Sequence, residues 1–340
     1  EAYLALRERL DAQSCLLIHS RFPFAWRREK ELQAERLFGK PSDSKVQRPQ
    51  QRHVLVGTQV LEQSLDLDFD VMVTDLAPVD LVLQRMGRLH RHQRPRRPGP
   101  LSKPRLLVMW PEGDADHPPD FGPSKYVYEP YILLRTWLAL GKRSRIDVPG
   151  DLERLIEEVY GEGCVEPSVA GLEEQRRDLE RRLENERFMA RRNAIPEPRR
   201  GSDIFEEVQY LLLDGDDPRV AAKIQALTRL SGSPSLQIVC LREEEGRQIP
   251  LVGGGTRPDD ALDLDALMKS SFPLVDRRIV GPLLEELKNG RQPPALWRKT
   301  PLLRYTYPLV FTDKRAKVGP WVLELDCDLG LRVIAAGGEG

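Results

Sequence analysis

The sequence predicts an α/β fold. A parallel sheet with helices on both faces is expected over residues 1–110, a linker and helical connector over 111–200, and a smaller α+β domain over 201–340. Three observations predict it. Short continuous apolar runs alternate with charged, helix-period stretches over residues 1–110, the pattern of parallel strands separated by helices. Residues 111–130 then turn rich in Pro, Gly and Asp and lead out of that pattern. Beyond residue 200 short β-like runs surround one or two helices near 262–289.

Taken in order, a charged amphipathic helix is expected over 3–12 and a strand in "SCLLIHS" (14–20). "WRREKELQAERLFGK" (26–40) reads as a helix with Leu32 and Leu37 on one side and Gly39 as its stop. "HVLVGT" (53–58) and "DVMVTD" (70–75) are the next strands, "PVDLVLQRMGRLHR" (78–91) is a helix, and "RLLVMW" (105–110) closes the unit. Between them "QRPRRPGPLSKP" (93–104) has four prolines, which excludes helix or central strand and predicts an exposed loop. "EPYILLRTWLALG" (129–141) begins the helical connector. In "GLEEQRRDLERRLENERFMARR" (171–192), Glu173–Arg177 and Asp178–Arg182 are i,i+4 pairs on a solvated helix. In the last third "SLQIVCL", "YPLVF", "WVLELD" and "LRVIAA" are the strand candidates, and there is no internal repeat.

The 340 residues leave room for two domains, and 40% apolar residues suffice for a core despite 31% charged. A net charge of −1 excludes a polycation, so nucleic-acid binding must come from local patches. Cys15, Cys164, Cys240 and Cys327 are isolated, with no C-x-x-C pair, which predicts reduced thiols and no metal site. The most apolar long stretch, residues 131–140, is too short to span a bilayer and contains Arg135. The start has no apolar signal core, so a cytoplasmic protein without membrane contact is expected. It also lacks an initiator Met and opens in mid-helix, as a piece of a longer protein would.

Three places carry chemistry. The first is Q-x-x-G-R-x-x-R at 84–91. On a helix Arg88 and Arg91 share a face, with Gln84 one turn before, and Gly87 leaves room for a close approach. Two guanidinium groups so held can neutralise a transferring phosphate. A basic helix facing water is the plainer alternative, yet residues 81–110 contain no Asp or Glu at all. The second place follows the strand "HVLVGT", where ligands meet the carboxyl ends of parallel strands. Thr58, Gln59, Glu62, Gln63, Ser64 and Asp66 fall there. Thr58 has the chemistry to bond a phosphate and Asp66 a ribose hydroxyl, although a hydrogen-bonded turn needs the same residues. The third is "IHSRF" (18–22), again a strand ending in polar residues.

Together, "HSRFPFAWR", "EQSLDLDFDVMVTDLAP" and "QRMGRLHRH" resemble motifs IV, V and VI of superfamily two helicases. They are most similar to the CRISPR-associated helicase–nuclease of type I systems. The resemblance is dense over 15–110 and thinner afterwards, in "YEPYILLRTWLAL", "ALTRLSGSPSLQIVCL" and "LDCDLGLRV". It implies that residues 1–110 are the second RecA-like domain of a motor and 201–340 the family's C-terminal domain. It further implies that Arg88 and Arg91 are arginine fingers for ATP with Mg²⁺, with Gln84 and Gly87 at the nucleotide edge. Asp66 would contact the ribose. Ser20, Arg21, Arg27, Thr58 and Gln59 would touch the backbone of single-stranded DNA. The implied partners are the first RecA-like domain, the nuclease domain and a surveillance complex carrying guide RNA.

The phosphate-cradling G-x-x-x-x-G-K-[ST] is absent from this chain, as are a D-E-x-H string and a His/Asp cluster for a nuclease. This chain alone is therefore expected to be inactive. The alternatives are a non-catalytic docking module, which would bind the surveillance complex or the other motor half, and half of an unrelated superfamily two helicase.

Overall fold

The computed structural model describes residues 1–41, 51–62, 65–94, 97–161, 169–193, 235–244, 246–253 and 263–335. The chain divides into two compact units. The first takes Glu1–Leu32, His53–Val60 and Met189–Gly340, and the second Gln33–Arg52 and Leu61–Phe188. Gln63, Ser64, Cys164 and the part of the expected C-terminal domain before residue 235 lie outside the described residues.

In the first unit β1 (Cys15–Ile18) pairs in parallel with β2 (Val54–Gly57), with Cys15 beside Val54 and Ile18 beside Gly57. Because the two strands end level, the loops carrying Ser20–Arg21 and Thr58 leave the same edge. Thr58 N donates to Ile18 O at 3.4 Å. Helix α1 (Ala2–Arg7) precedes β1, and α2 (Phe24–Phe38) follows it. The expected helix over 3–12 stops at Arg7, and Asp11 caps a separate turn over Ala12–Ser14 by accepting from Gln13 N.

The rest of this unit is an α+β body. Strand β5 (Leu236–Glu244) is central, antiparallel to β6 (Arg247–Pro250) and β7 (Ser271–Leu274) and parallel to β8 (Thr306–Phe311). Strands β9 (Arg315–Val318), β10 (Trp321–Asp326) and β11 (Gly330–Ala335) form an antiparallel meander. Helix α8 (Arg277–Lys288) joins Ile238, Phe272, Tyr307 and Leu323 in one core through Ile279, Val280 and Leu283. Trp26 of α2 packs against it. Helices α7 (Leu264–Lys269) and α9 (Ala295–Lys299) make a second cluster around Trp297. Strands β6, β7 and β9 were not legible in the sequence: each is four residues long, and β7 contains Pro273.

In the second unit β3 (Val71–Asp75) pairs in parallel with β4 (Arg105–Met109). Leu106 and Val108 pack on a core with α3 (Val79–Met86), α4 (Pro130–Gly141) and α5 (Leu152–Tyr160). The opposite face leaves Val73, Leu107 and Met109 more than half exposed. The helices of this unit thus cover one face of the strand pair. Helix α5, unforeseen in the sequence, buries Leu155 and Val159 completely. Helix α6 (Leu172–Asn193) keeps the expected Glu173–Arg177 pair at 3.2 Å. The other expected pair is replaced: Asp178 pairs with Arg181, one residue nearer, and Arg182 reaches Glu129. No helix among the described residues is long and apolar enough to cross a membrane.

Candidate functional site

Helix α3 ends at Met86, with Gly87 as its cap. The expectation of one helical face for Gln84, Arg88 and Arg91 is therefore corrected. A positive φ at His90 turns the chain, and it continues as an irregular segment. That segment pairs in parallel with the chain at Phe69: Phe69 N donates to Arg88 O (2.9 Å) and His90 N to Phe69 O (3.0 Å).

Side chains then pair in sequence order along the two segments. Arg85 binds Glu62 Oε1 through Nε at 2.8 Å and Thr74 Oγ1 at 2.6 Å. Arg88 donates to the carbonyls of Leu65 and Glu62, the latter at 2.7 Å. Arg91 Nε meets Asp66 at 2.6 Å, and His92 Nε2 lies 3.2 Å from the same oxygen. Arg94 binds Asp68 and the carbonyl of Gly39. Arg97 spans Asp68 at 2.9 Å and Asp70 at 2.7 Å. Four cations of the acid-free stretch 81–110, Arg85, Arg91, Arg94 and Arg97, are thus answered by Glu62, Asp66, Asp68 and Asp70. The expected exposed loop over 93–104 is corrected at its start, because Arg94 and Arg97 turn inward onto a fully buried carboxylate.

The members of this ladder differ in how well they are neutralised. Burial pushes the Asp68 carboxyl up, but hydrogen bonds from Arg94 and Arg97 outweigh it and hold the group below the ordinary carboxylate range. Arg88 is buried on carbonyls alone, and its Nε has no partner. Burial first, and the neighbouring Arg91 second, hold its pKa below the usual arginine value. An under-neutralised buried cation is a place where an added anion gains energy. Arg91 is about half exposed (46%) and held by one exposed carboxylate, so little opposes its transfer to a stronger anion. Gln84 is exposed. Gly87 is exposed in an ordinary helical conformation, and a Cβ there would meet only carbonyls of its own helix. These groups fit a nucleotide phosphate.

The first unit holds the other predicted residues. Arg21, Thr58 and Gln59 are exposed, while Ser20 and Arg27 are half-buried. Arg27 pairs with Glu31 at 3.4 Å and lies over the Phe24 ring at 5.7 Å. His19 is not a free base. Its Nδ1 accepts from Arg21 N (3.1 Å), its Nε2 faces Leu329 O (3.0 Å), and its ring stacks on Phe22. Burial lowers its pKa. Sequence reasoning missed Asp68, Asp70, Arg94 and Arg97. The available signal was an arginine at every third position from 85 to 97, opposite acids at 62, 66, 68 and 70.

Parallel strand pairs ending in polar loops, and an arginine segment laid on the chain at Phe69, are elements of a RecA-like helicase domain of superfamily two. Residues 1–94 match the family "CRISPR-associated nuclease/helicase Cas3, C-terminal", and residues 230–331 match "Cas3 C-terminal domain". The chain belongs to the Cas3 family, over that family's C-terminal region. It is 41% identical to the CRISPR-associated endonuclease/helicase Cas3 of Thermus thermophilus, covering 94% of this chain and 35% of that protein. Among solved structures, "Crystal structure of CRISPR-associated protein" aligns with a TM-score of 0.75 at 36% identity, over 98% of this chain and 36% of that one. The T. fusca Cas3-AMPPNP structure gives 0.74 at 29%, over 97% and 37%. A chain in "CRISPR RNA-guided surveillance complex, pre-nicking" gives 0.69 at 28%, over 97% and 38%. The chain spans about a third of the length of these relatives.

Proposed function

We propose that this chain is the second motor half of an ATP-dependent superfamily two DNA helicase or translocase, acting in the cytoplasm in type I CRISPR interference. In this reading it helps to unwind target DNA and feed it to a nuclease domain. The domains run as 1–110 for the second RecA-like domain, 111–200 for the linker and 201–340 for the C-terminal domain. ATP with Mg²⁺ is bound chiefly by the first RecA-like domain. When bound, ATP would supply the phosphoanhydride bond whose hydrolysis drives movement. Arg88 and Arg91 approach its phosphates, with Gln84 and Gly87 beside them. Asp66 holds Arg91 beforehand and turns to the ribose once Arg91 leaves. Ser20, Arg21, Arg27, Thr58 and Gln59 hold the sugar–phosphate backbone of one strand, which suits a translocase because such contacts carry no sequence information. The surveillance complex with its guide RNA delivers the DNA.

The observation that carries this reading is the uneven neutralisation of the arginine ladder. Arg85, Arg94 and Arg97 each end on a largely buried carboxylate, whereas Arg88 hydrogen-bonds only carbonyls and Arg91 pairs with one exposed carboxylate. A purely structural ladder has no reason to leave those two short of charge. The test mixes this chain with a polypeptide carrying the first RecA-like domain and measures strand-stimulated ATP hydrolysis. Hydrolysis is expected only with both present. Turnover by this chain alone, or none by the mixture, would overturn the reading.

A further inference from the structure

The turn between β10 and β11 has no role in the function proposed above, yet it is locked onto the loop that carries Ser20 and Arg21. Asp326 shapes the turn by accepting from Asp328 N (2.7 Å) and Leu329 N (2.8 Å). Asp328 is tied to Arg7 of α1 at 2.9 Å. Leu331 N donates to Arg21 O at 2.9 Å. The Leu329 carbonyl faces His19 Nε2 at 3.0 Å, while His19 Nδ1 accepts from Arg21 N at 3.1 Å. With Nδ1 as acceptor the ring is neutral and Nε2 is the donor. Both backbone polar groups of Arg21 are therefore fixed, one by the turn itself and one by a histidine that the turn holds.

The fit leaves no slack. Gly330 has a φ of +68°, and a Cβ there would stand 2.6 Å from His19 Cε1 and 2.8 Å from Arg21 O. The histidine is held from its other side by Phe22, which is fully buried and stacks on it at 4.4 Å. Beneath this, Lys30 covers the Phe22 ring at 4.8 Å. By contrast the Arg21 guanidinium is exposed, and its one electrostatic neighbour of opposite charge among the described residues is the Asp276 carboxylate. Fixing its backbone fixes the point from which this long side chain reaches, and so the volume its guanidinium can search.

We propose that the β10–β11 turn is a positioning element for DNA contact: Leu329, Gly330 and Leu331, acting through His19 and the Arg21 backbone, set where Arg21 meets a strand phosphate. The proposal rests on the reading that this loop contacts DNA. His19 is then a positioning residue, and the C-terminal domain takes part in strand binding without touching the strand. A contact loop that must hold each phosphate at one distance gains from such fixing, because ordering it on binding would cost conformational entropy.

The test measures affinity of the full chain for fluorescein-labelled oligothymidylate at low salt, by anisotropy. The variants are Arg21→Ala, Gly330→Ala, their combination, His19→Ala and His19→Gln. Gly330→Ala should lose affinity about as Arg21→Ala does, on the order of tenfold for one charge-assisted phosphate contact. The combined variant should lose no more than Arg21→Ala alone, because both act on one contact. His19→Gln, which keeps a donor for the Leu329 carbonyl, should retain more affinity than His19→Ala. Amide exchange at Arg21 and Leu331 should quicken in Gly330→Ala while Ile238 in β5 stays protected.

Losses that add in the combined variant would overturn the proposal, as would wild-type affinity in Gly330→Ala with quickened Arg21 and Leu331 amides. Should Gly330→Ala fail to fold, the two His19 variants decide: equal affinity in both overturns it. Wild-type affinity in Arg21→Ala would instead remove the DNA assignment of the loop, and the positioning role with it.

Discussion

Asp68 shows how a single residue decides whether the arginine segment is ordered. Its side chain is fully buried, and Arg94 and Arg97 both end on it. Asp68→Asn keeps the shape but leaves the buried Arg94 without a counter-charge and Arg97 with Asp70 alone, at a cost of about 3–5 kcal/mol. Urea denaturation at neutral pH reads this directly, and a loss under about 1 kcal/mol would contradict the arrangement. The pH dependence has a definite sign. The folded Asp68 pKa lies below its ordinary value, so its contribution is present above the carboxylate range and fades as pH falls through the folded value. The gap between wild type and Asp68→Asn should therefore narrow on acidification.

At the scale of elements, the segment after α3 is stapled by Arg88 to the carbonyls of Glu62 and Leu65. Arg88→Ala removes two hydrogen bonds from a charged donor to backbone carbonyls, worth about 3–6 kcal/mol together. Exchange at the Asp68 and Phe69 amides should quicken while the α4 amides stay protected. Unchanged exchange in the loop would show that Arg88 does not hold it. The strands that flank this loop were legible in the sequence because "HVLVGT" and "DVMVTD" are unbroken apolar runs bounded by polar residues. The end of α3 was not. The helical period continues past Gly87 through Leu89, and only the pairing of Phe69 with residues 88–90 shows that the helix has already stopped. Non-local pairing of this kind leaves no mark in a local period. The acid–arginine register escaped for the same reason, since its halves lie some twenty residues apart in sequence. The motif residues Ser20, Arg21 and Thr58 were legible as strand ends, and the register of β1 and β2 explains why they leave one edge.

For the molecule as a whole, a net charge of −1 means that any grip on DNA or nucleotide depends on where charges are left uncompensated. The exposed Arg21 in one unit, and the buried Arg88 with its half-exposed neighbour Arg91 in the other, are charges compensated only in part. The central claim is that the pair serves a nucleotide phosphate. It is tested most directly by Arg91, whose partners are an exposed carboxylate and, at 3.5 Å, the carbonyl of Gly87, so that the fold loses little without it. The measurement is strand-stimulated ATP hydrolysis by the chain assembled with the first RecA-like domain, comparing wild type, Arg91→Ala and Arg91→Lys. The account predicts unchanged thermal stability, unchanged nucleotide-free strand affinity, and a fall in rate on the order of 10³-fold for Arg91→Ala. Lysine should rescue little, because it lacks the planar multi-donor fork. Near-normal hydrolysis in both variants would contradict the claim and reduce the pair to a basic patch on a structural ladder.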